Sequence, residues 1–126
     1  MKIEQHKDIL FRHDSDMKDV GIYSRRFRIY RRTPRLSVQI VNTKSGLTGG
    51  MTPINKSEAL LIDTIGTISV LADPLDQKGE PIGDSSWIDE VRDNEILFAL
   101  YAEVIKYQNS FYSTGEKPHA GLGEDK

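Results

Sequence analysis

The sequence predicts an α+β fold in one domain. Three observations point there. A stretch from Gly21 to Val41 is rich in aromatic and β-branched residues that alternate in polarity. A later stretch, Asp93–Phe111, repeats apolar residues at helical spacing. The chain has 126 residues, close to the commonest domain size. An antiparallel, β-rich N-terminal half is expected to pack on two helices, about 56–65 and 93–111. The domain boundary is placed at 1–112, with 113–126 as a disordered tail.

The first 20 residues are polar around one apolar knot, Ile9-Leu10-Phe11. They read as loop with at most one short strand, and His13-Asp14-Ser15-Asp16 reads as a turn. Gly21–Thr33 reads as a strand. Ile22, Phe27 and Ile29 do not share one parity, so a bulge near Ser24-Arg25 is expected. Thr33-Pro34 should break the ladder, because proline has no N–H to donate. Leu36–Val41 then alternates again and reads as a second strand. Asn42–Met51, with three glycines, reads as a flexible loop.

Asn55 followed by Glu58 resembles a capping box, which starts a helix near Lys56. Its apolar face is Ala59, Leu60, Leu61 and Ile62, and Gly66 can end it. Thr67–Leu71 is β-branched enough for a strand, yet could continue the helix; periodicity over so short a run does not decide. Leu75–Ser86 is a loop ending in capping residues. In Asp93–Phe111, one stripe is Ile96, Leu100, Val104 and Phe111, and the adjacent stripe is Leu97, Tyr101 and Ile105. Trp87 and Ile88 are expected to fold back on the same core. Ser113–Lys126 has little apolar content and reads as disordered.

The charge is split along the chain. Residues 1–50 carry eleven Lys/Arg against five Asp/Glu, a net of +6, and residues 51–126 carry six against fourteen, a net of −8. The total of −2 conceals both halves. Six arginines (Arg25, Arg26, Arg28, Arg31, Arg32 and Arg35) fall between Val20 and Leu36 with no acid among them. Interleaved with Tyr23, Phe27 and Tyr30, they suit single-stranded nucleic acid on a sheet. They equally suit an edge strand guarded by charge, or one that meets an acidic partner. The pI of 5.9 favours the protein readings over a dedicated nucleic-acid binder.

Other chemistries are poorly represented. There is no cysteine, which excludes disulfides and thiolate sites. Asp14-Ser15-Asp16 opens like a calcium loop, but Lys18 stands where the next acid belongs. With His6, Asp8 and His13 nearby, the segment reads as a solvated polar turn. Lys44-Ser45-Gly46 and Gly49-Gly50 lack the order of a phosphate loop. No nucleophile elbow or HExxH motif is present, so no enzyme and no cofactor are expected. Thr114–Pro118 matches a zinc-finger linker by accident, since no cysteine flanks it. Met1–Asp8 lacks the apolar core of a signal peptide, and no apolar run is long enough to cross a bilayer.

Two segments carry a resemblance. They are Ser57-Glu58-Ala59-Leu60-Leu61 with its run to Asp73-Pro74, and Trp87–Val104 continuing to Phe111. Together, over residues 57–111, they resemble the small tail assembly chaperones of tailed bacteriophages and related virion-assembly proteins. The resemblance implies a non-enzymatic protein that holds an aggregation-prone tail protein, typically the tape measure, in the infected bacterial cytoplasm. It implies a partner-binding surface of Trp87, Leu97, Phe98, Tyr101, Ile105, Tyr107 and Phe111. The family pattern has no counterpart of the arginine-rich segment, which leaves open a structural virion protein or a homo-oligomer that meets its neighbour through that segment.

Overall fold

A computed structural model describes residues 5–112. The expected disordered tail, 113–126, lies outside the described residues. The elements in chain order are β1 (His6–Asp14), β2 (Ile22–Tyr30), α1 (Pro34–Thr48), α2 (Lys56–Leu71), β3 (Ala72–Pro74), a short 3-10 turn (Ser86–Glu90) and α3 (Asn94–Asn109). The fold is α+β, a three-stranded antiparallel sheet in the order β1-β2-β3 packed on helices.

The N-terminal segment expected to be mostly loop is a nine-residue strand. β1 and β2 pair residue for residue, from His6↔Tyr30 to Asp14↔Ile22, so the expected bulge is absent. The parity conflict is resolved by exposure. Phe27 and Ile29 face the core beside Ile9 and Phe11, while Ile22 sits on the solvent face. The strands are joined through a turn closed by Ser15 N–H to Gly21 C=O at 2.9 Å, where Gly21 takes a φ of 68°. β3 adds to the other side of β2 at Phe27↔Pro74 and Ile29↔Ala72.

The main correction concerns residues 34–48. The expected strand at Leu36–Val41 and the expected loop after it are one helix, α1. Thr33 is its N-cap, the side-chain oxygen accepting from Leu36 N–H at 3.2 Å, and Pro34 occupies the first turn. Proline there loses nothing, because that N–H has no partner inside a helix. Gly49 ends α1 with φ of 64°, a left-handed conformation that favours glycine. Leu36 and Ile40, four apart, are buried, as helical spacing requires.

α2 starts where expected. Asn55 accepts from Glu58 N–H at 2.8 Å and the Glu58 carboxylate accepts from Ile54 N–H. It does not stop at Gly66 but runs on to Leu71, so Thr67–Leu71 is helix. Gly66 marks the crossing with α1. A Cβ there would collide with the Lys44 side chain and come within 3.6 Å of the Ile40 carbonyl oxygen. Glycine thus lets the two helices approach closely, while Thr64, Thr67, Ile68 and Leu71 are buried on the other side of α2.

α3 is capped by Asp93, which accepts from Glu95 N–H at 3.0 Å and from the Ser15 hydroxyl. That second bond ties the β1–β2 turn to the start of α3. Ile96, Leu100 and Val104 enter the core with Phe27, Ile29, Ile68 and Leu71. Each such side chain contributes roughly 1.5–3 kcal/mol on burial, before the loss of conformational entropy.

Candidate interaction surface

The partner-facing residues expected on α3 divide into two groups. Trp87 and Leu97 are buried: Trp87 folds back on the core as expected, and neither side chain is open for the partner contact that the resemblance implied. Trp87 meets Phe27 edge-on, with ring centroids 4.9 Å apart. Leu97 is drawn in because α2 packs alongside α3 and covers that stripe. Phe98, Tyr101, Ile105, Tyr107 and Phe111 remain half-buried.

Three of these, Tyr101, Tyr107 and Phe111, are engaged within the chain. Tyr101 donates its hydroxyl to Asp63 Oδ2 at 2.8 Å. Burial, reinforced by the carboxylate of Asp63, pushes the Tyr101 phenol up to about 12. Tyr107 and Phe111 pack edge to face at 5.0 Å. The guanidinium of Arg31 lies 3.9 Å from the centre of the Phe111 ring, a cation–π contact.

The arginines do not form one strand. Only Arg25, Arg26 and Arg28 belong to β2; Arg31 and Arg32 lie in the link to α1, and Arg35 is in α1 itself. Arg26 and Arg28 share the outer face of the sheet, and Arg25 has the opposite parity. Arg28 is paired with Asp8 through two bonds of 2.8 and 3.1 Å. Those bonds hold the Asp8 carboxyl below, and the Arg28 guanidinium above, their ordinary ranges. Arg31 donates to Gln5 at 2.8 Å, and Arg32 to Ser37 at 2.8 Å. Among the described residues, only Arg28 of these arginines has its charge met by an acid; Arg31 and Arg32 are held by neutral groups and keep their charge.

Residues that sequence reasoning did not assign to a contact surface carry much of the exposed apolar area. Val38 and Val41 lie on the outer side of α1, and Leu47, Met51, Ile54 and Leu60 surround the turn that joins α1 to α2. Met51 is 75% and Ile54 87% exposed. Leu60 falls on the same helical face as Thr64, Thr67 and Leu71, yet half of it remains open while those three are buried. The apolar face of α2 thus continues past the point where the core ends. The signal was present in Val38 and Val41 at i, i+3, opposite Leu36 and Ile40, but it is visible only once 34–48 is known to be helical.

Among the described residues no group of three His, Asp or Glu side chains could hold a metal ion. A groove of about 280 Å³ runs beside β1, lined by Ile9, Leu10, Phe11, Arg12, Ala99 and Glu103. No described helix is long and apolar enough to cross a membrane. Comparison of the chain with protein-family models, with curated proteins and with solved structures returns no match.

Proposed function

We propose that this chain is a non-enzymatic protein-interaction module that receives an apolar segment of a partner on the α1–α2 helical hairpin. The observation that carries the reading is the set of exposed Val38, Val41, Leu47, Met51, Ile54 and Leu60 within one hairpin. Scattered surface apolar residues need no explanation, but six along one helical hairpin support a contact surface there. α1 packs chiefly on α2, so its outer side is available.

The setting is assembly of a phage tail or virion, with the infected bacterial cytoplasm or the particle as location. That part rests on the resemblance over residues 57–111 alone. The test is co-expression with a tape-measure segment, followed by affinity capture. The wild-type chain should retain the segment, and Met51→Ser/Ile54→Ser should lose it while remaining folded. Equal retention by both would sink the reading.

A second reading, single-stranded nucleic acid, is favoured by Arg12, Arg26, Arg28 and Tyr30 sharing the outer face of the sheet. It requires binding that falls steeply with salt and weakens when Arg26 and Arg28 are neutralised.

A further inference from the structure

β1 is an edge strand, and the direction of its free backbone groups can be worked out. Arg31 N–H donates to Gln5 C=O at 2.8 Å, and Ser15 N–H to Gly21 C=O at 2.9 Å. Both pairs continue the β1–β2 register. Bonded and non-bonded pairs alternate along an antiparallel ladder. Odd-numbered residues of β1 therefore turn their N–H and C=O toward β2. Asp8, Leu10, Arg12 and Asp14 turn theirs away from it, and among the described strands none lies beyond. Such an edge is normally blunted by charge, proline or a bulge. Here its centre is Ile9-Leu10-Phe11, and Leu10 is 68% exposed.

The strand is also complementary to itself. Reversed about Leu10, the sequence sets Asp8 against Arg12 twice, Ile9 against Phe11 twice, and Leu10 against its own copy. Centring on Ile9 instead opposes Arg12 to His6 and Asp8 to Leu10. Centring on Phe11 opposes Asp8 to Asp14 and Leu10 to Arg12. An axis between two residues would set core-facing side chains against solvent-facing ones. Of these, only the Leu10 register matches charge with opposite charge and apolar with apolar across its centre, residues 8–12; beyond it His6 opposes Asp14 and Lys7 opposes His13.

We propose that β1 pairs antiparallel with β1 of a second copy about a two-fold axis at Leu10, giving one continuous sheet in the order β3-β2-β1-β1-β2-β3. On the core side the groove beside β1, lined by Ile9, Phe11 and Ala99, opens toward the same groove of the second copy, while Phe11 stays in its own core. Leu10 meets Leu10 on the outer face, flanked by the two Asp8–Arg12 pairs. This contact is independent of the α1–α2 surface and can fail or stand without it.

Sedimentation equilibrium of the full chain tests it. The wild type should be a dimer. Leu10→Lys and Arg12→Asp should each weaken the dimer by roughly tenfold or more, from like charges at opposed positions. Circular dichroism should show both variants folded. Because the chain has no cysteine, Leu10→Cys should form a disulfide-linked dimer on mild oxidation, the directly opposed Cα atoms lying within bridging range. Asp14→Cys, far from the axis, should not. A wild-type chain that stays monomeric would overturn the proposal. So would a dimer that Leu10→Lys leaves intact and Ile54→Lys dissociates.

Discussion

Tyr101 of α3 donates its hydroxyl to Asp63 of α2 at 2.8 Å, so the acid that α2 presents at mid-length is the fastening point for α3. The other oxygen of Asp63 accepts from Lys44 Nζ of α1 at 2.9 Å. One carboxylate thus joins three helices. Tyr101→Phe should lower stability by about 0.5–1.5 kcal/mol, the net value of one such bond, in urea unfolding. Asp63→Ala should cost more, because it strips partners from both neighbours. An unchanged midpoint for both variants would show the bonds to be idle.

The raised Tyr101 phenol makes a pH prediction. Its folded value, about 12, lies above the ordinary value of 10.0. The folded state therefore holds this proton more tightly than the unfolded chain does. The associated stability is complete below pH 10 and is lost as the pH rises toward 12. Absorbance titration at alkaline pH should find Tyr101 ionising late, alongside Tyr23, whose phenol burial also raises, and Tyr101→Phe should remove its share of the late step.

Asp93 gives the opposite sign. Bonds from the Ser15 hydroxyl and the Glu95 N–H hold its carboxyl below the ordinary carboxylate range. Its contribution is present above the unfolded value, near pH 4, and is lost as the pH falls through the lower folded value. Ser15→Ala should raise the Asp93 pKa toward normal, read by carboxyl carbon NMR. Asp93→Asn should flatten the acid side of the stability profile.

Gly66 tests the crossing of α1 and α2. In an open helix, Gly→Ala gains about 0.5–1 kcal/mol. Here the added methyl collides with Lys44 near the root of its side chain. Gly66→Ala should therefore destabilise, by roughly 1–3 kcal/mol. In a Lys44→Ala background the same substitution should become stabilising. Additive effects in that double-mutant cycle would refute the close contact.

Trp87 and Ile54 should separate stability from binding. Trp87→Ala should cost about 3–5 kcal/mol in thermal or urea unfolding, as for any large core aromatic. Ile54→Ser should stay within about 0.5 kcal/mol of wild type, as for an exposed position. If Trp87→Ala proves neutral in stability but weakens partner capture, Trp87 belongs to the surface after all.

The elements legible in the sequence were those whose signals are local. Asn55 with Glu58, and Asp93 before Ile96, mark helix starts through bonds made within four residues. The period of Ile96, Leu100 and Val104 names the core face of α3 without reference to anything else. Thr33-Pro34 was equally local, an N-cap followed by a proline in the first turn, but the same pair also ends strands. Val38, Ile40 and Val41 tipped that ambiguity toward a strand, because β-branched residues favour one when nothing else intervenes.

By itself the sequence determined the α+β class, the approximate positions of β2 and α3, the start of α2, the excess of positive charge before residue 50, and the absence of thiol chemistry. Only the tertiary structure decided the rest. Docking on α2 makes 34–48 helical, and burial of Ile68 and Leu71 in the core keeps 67–71 helical, since burial against a neighbour outweighs propensities worth a few tenths of a kcal/mol per residue. The strand register buries Phe27 and leaves Leu10 open. Covering by α2 removes Leu97 from the surface, and the end of the core leaves Leu60 and Ile54 on it. Exposure is a property of what lies opposite a side chain, and that neighbour is usually distant in the chain.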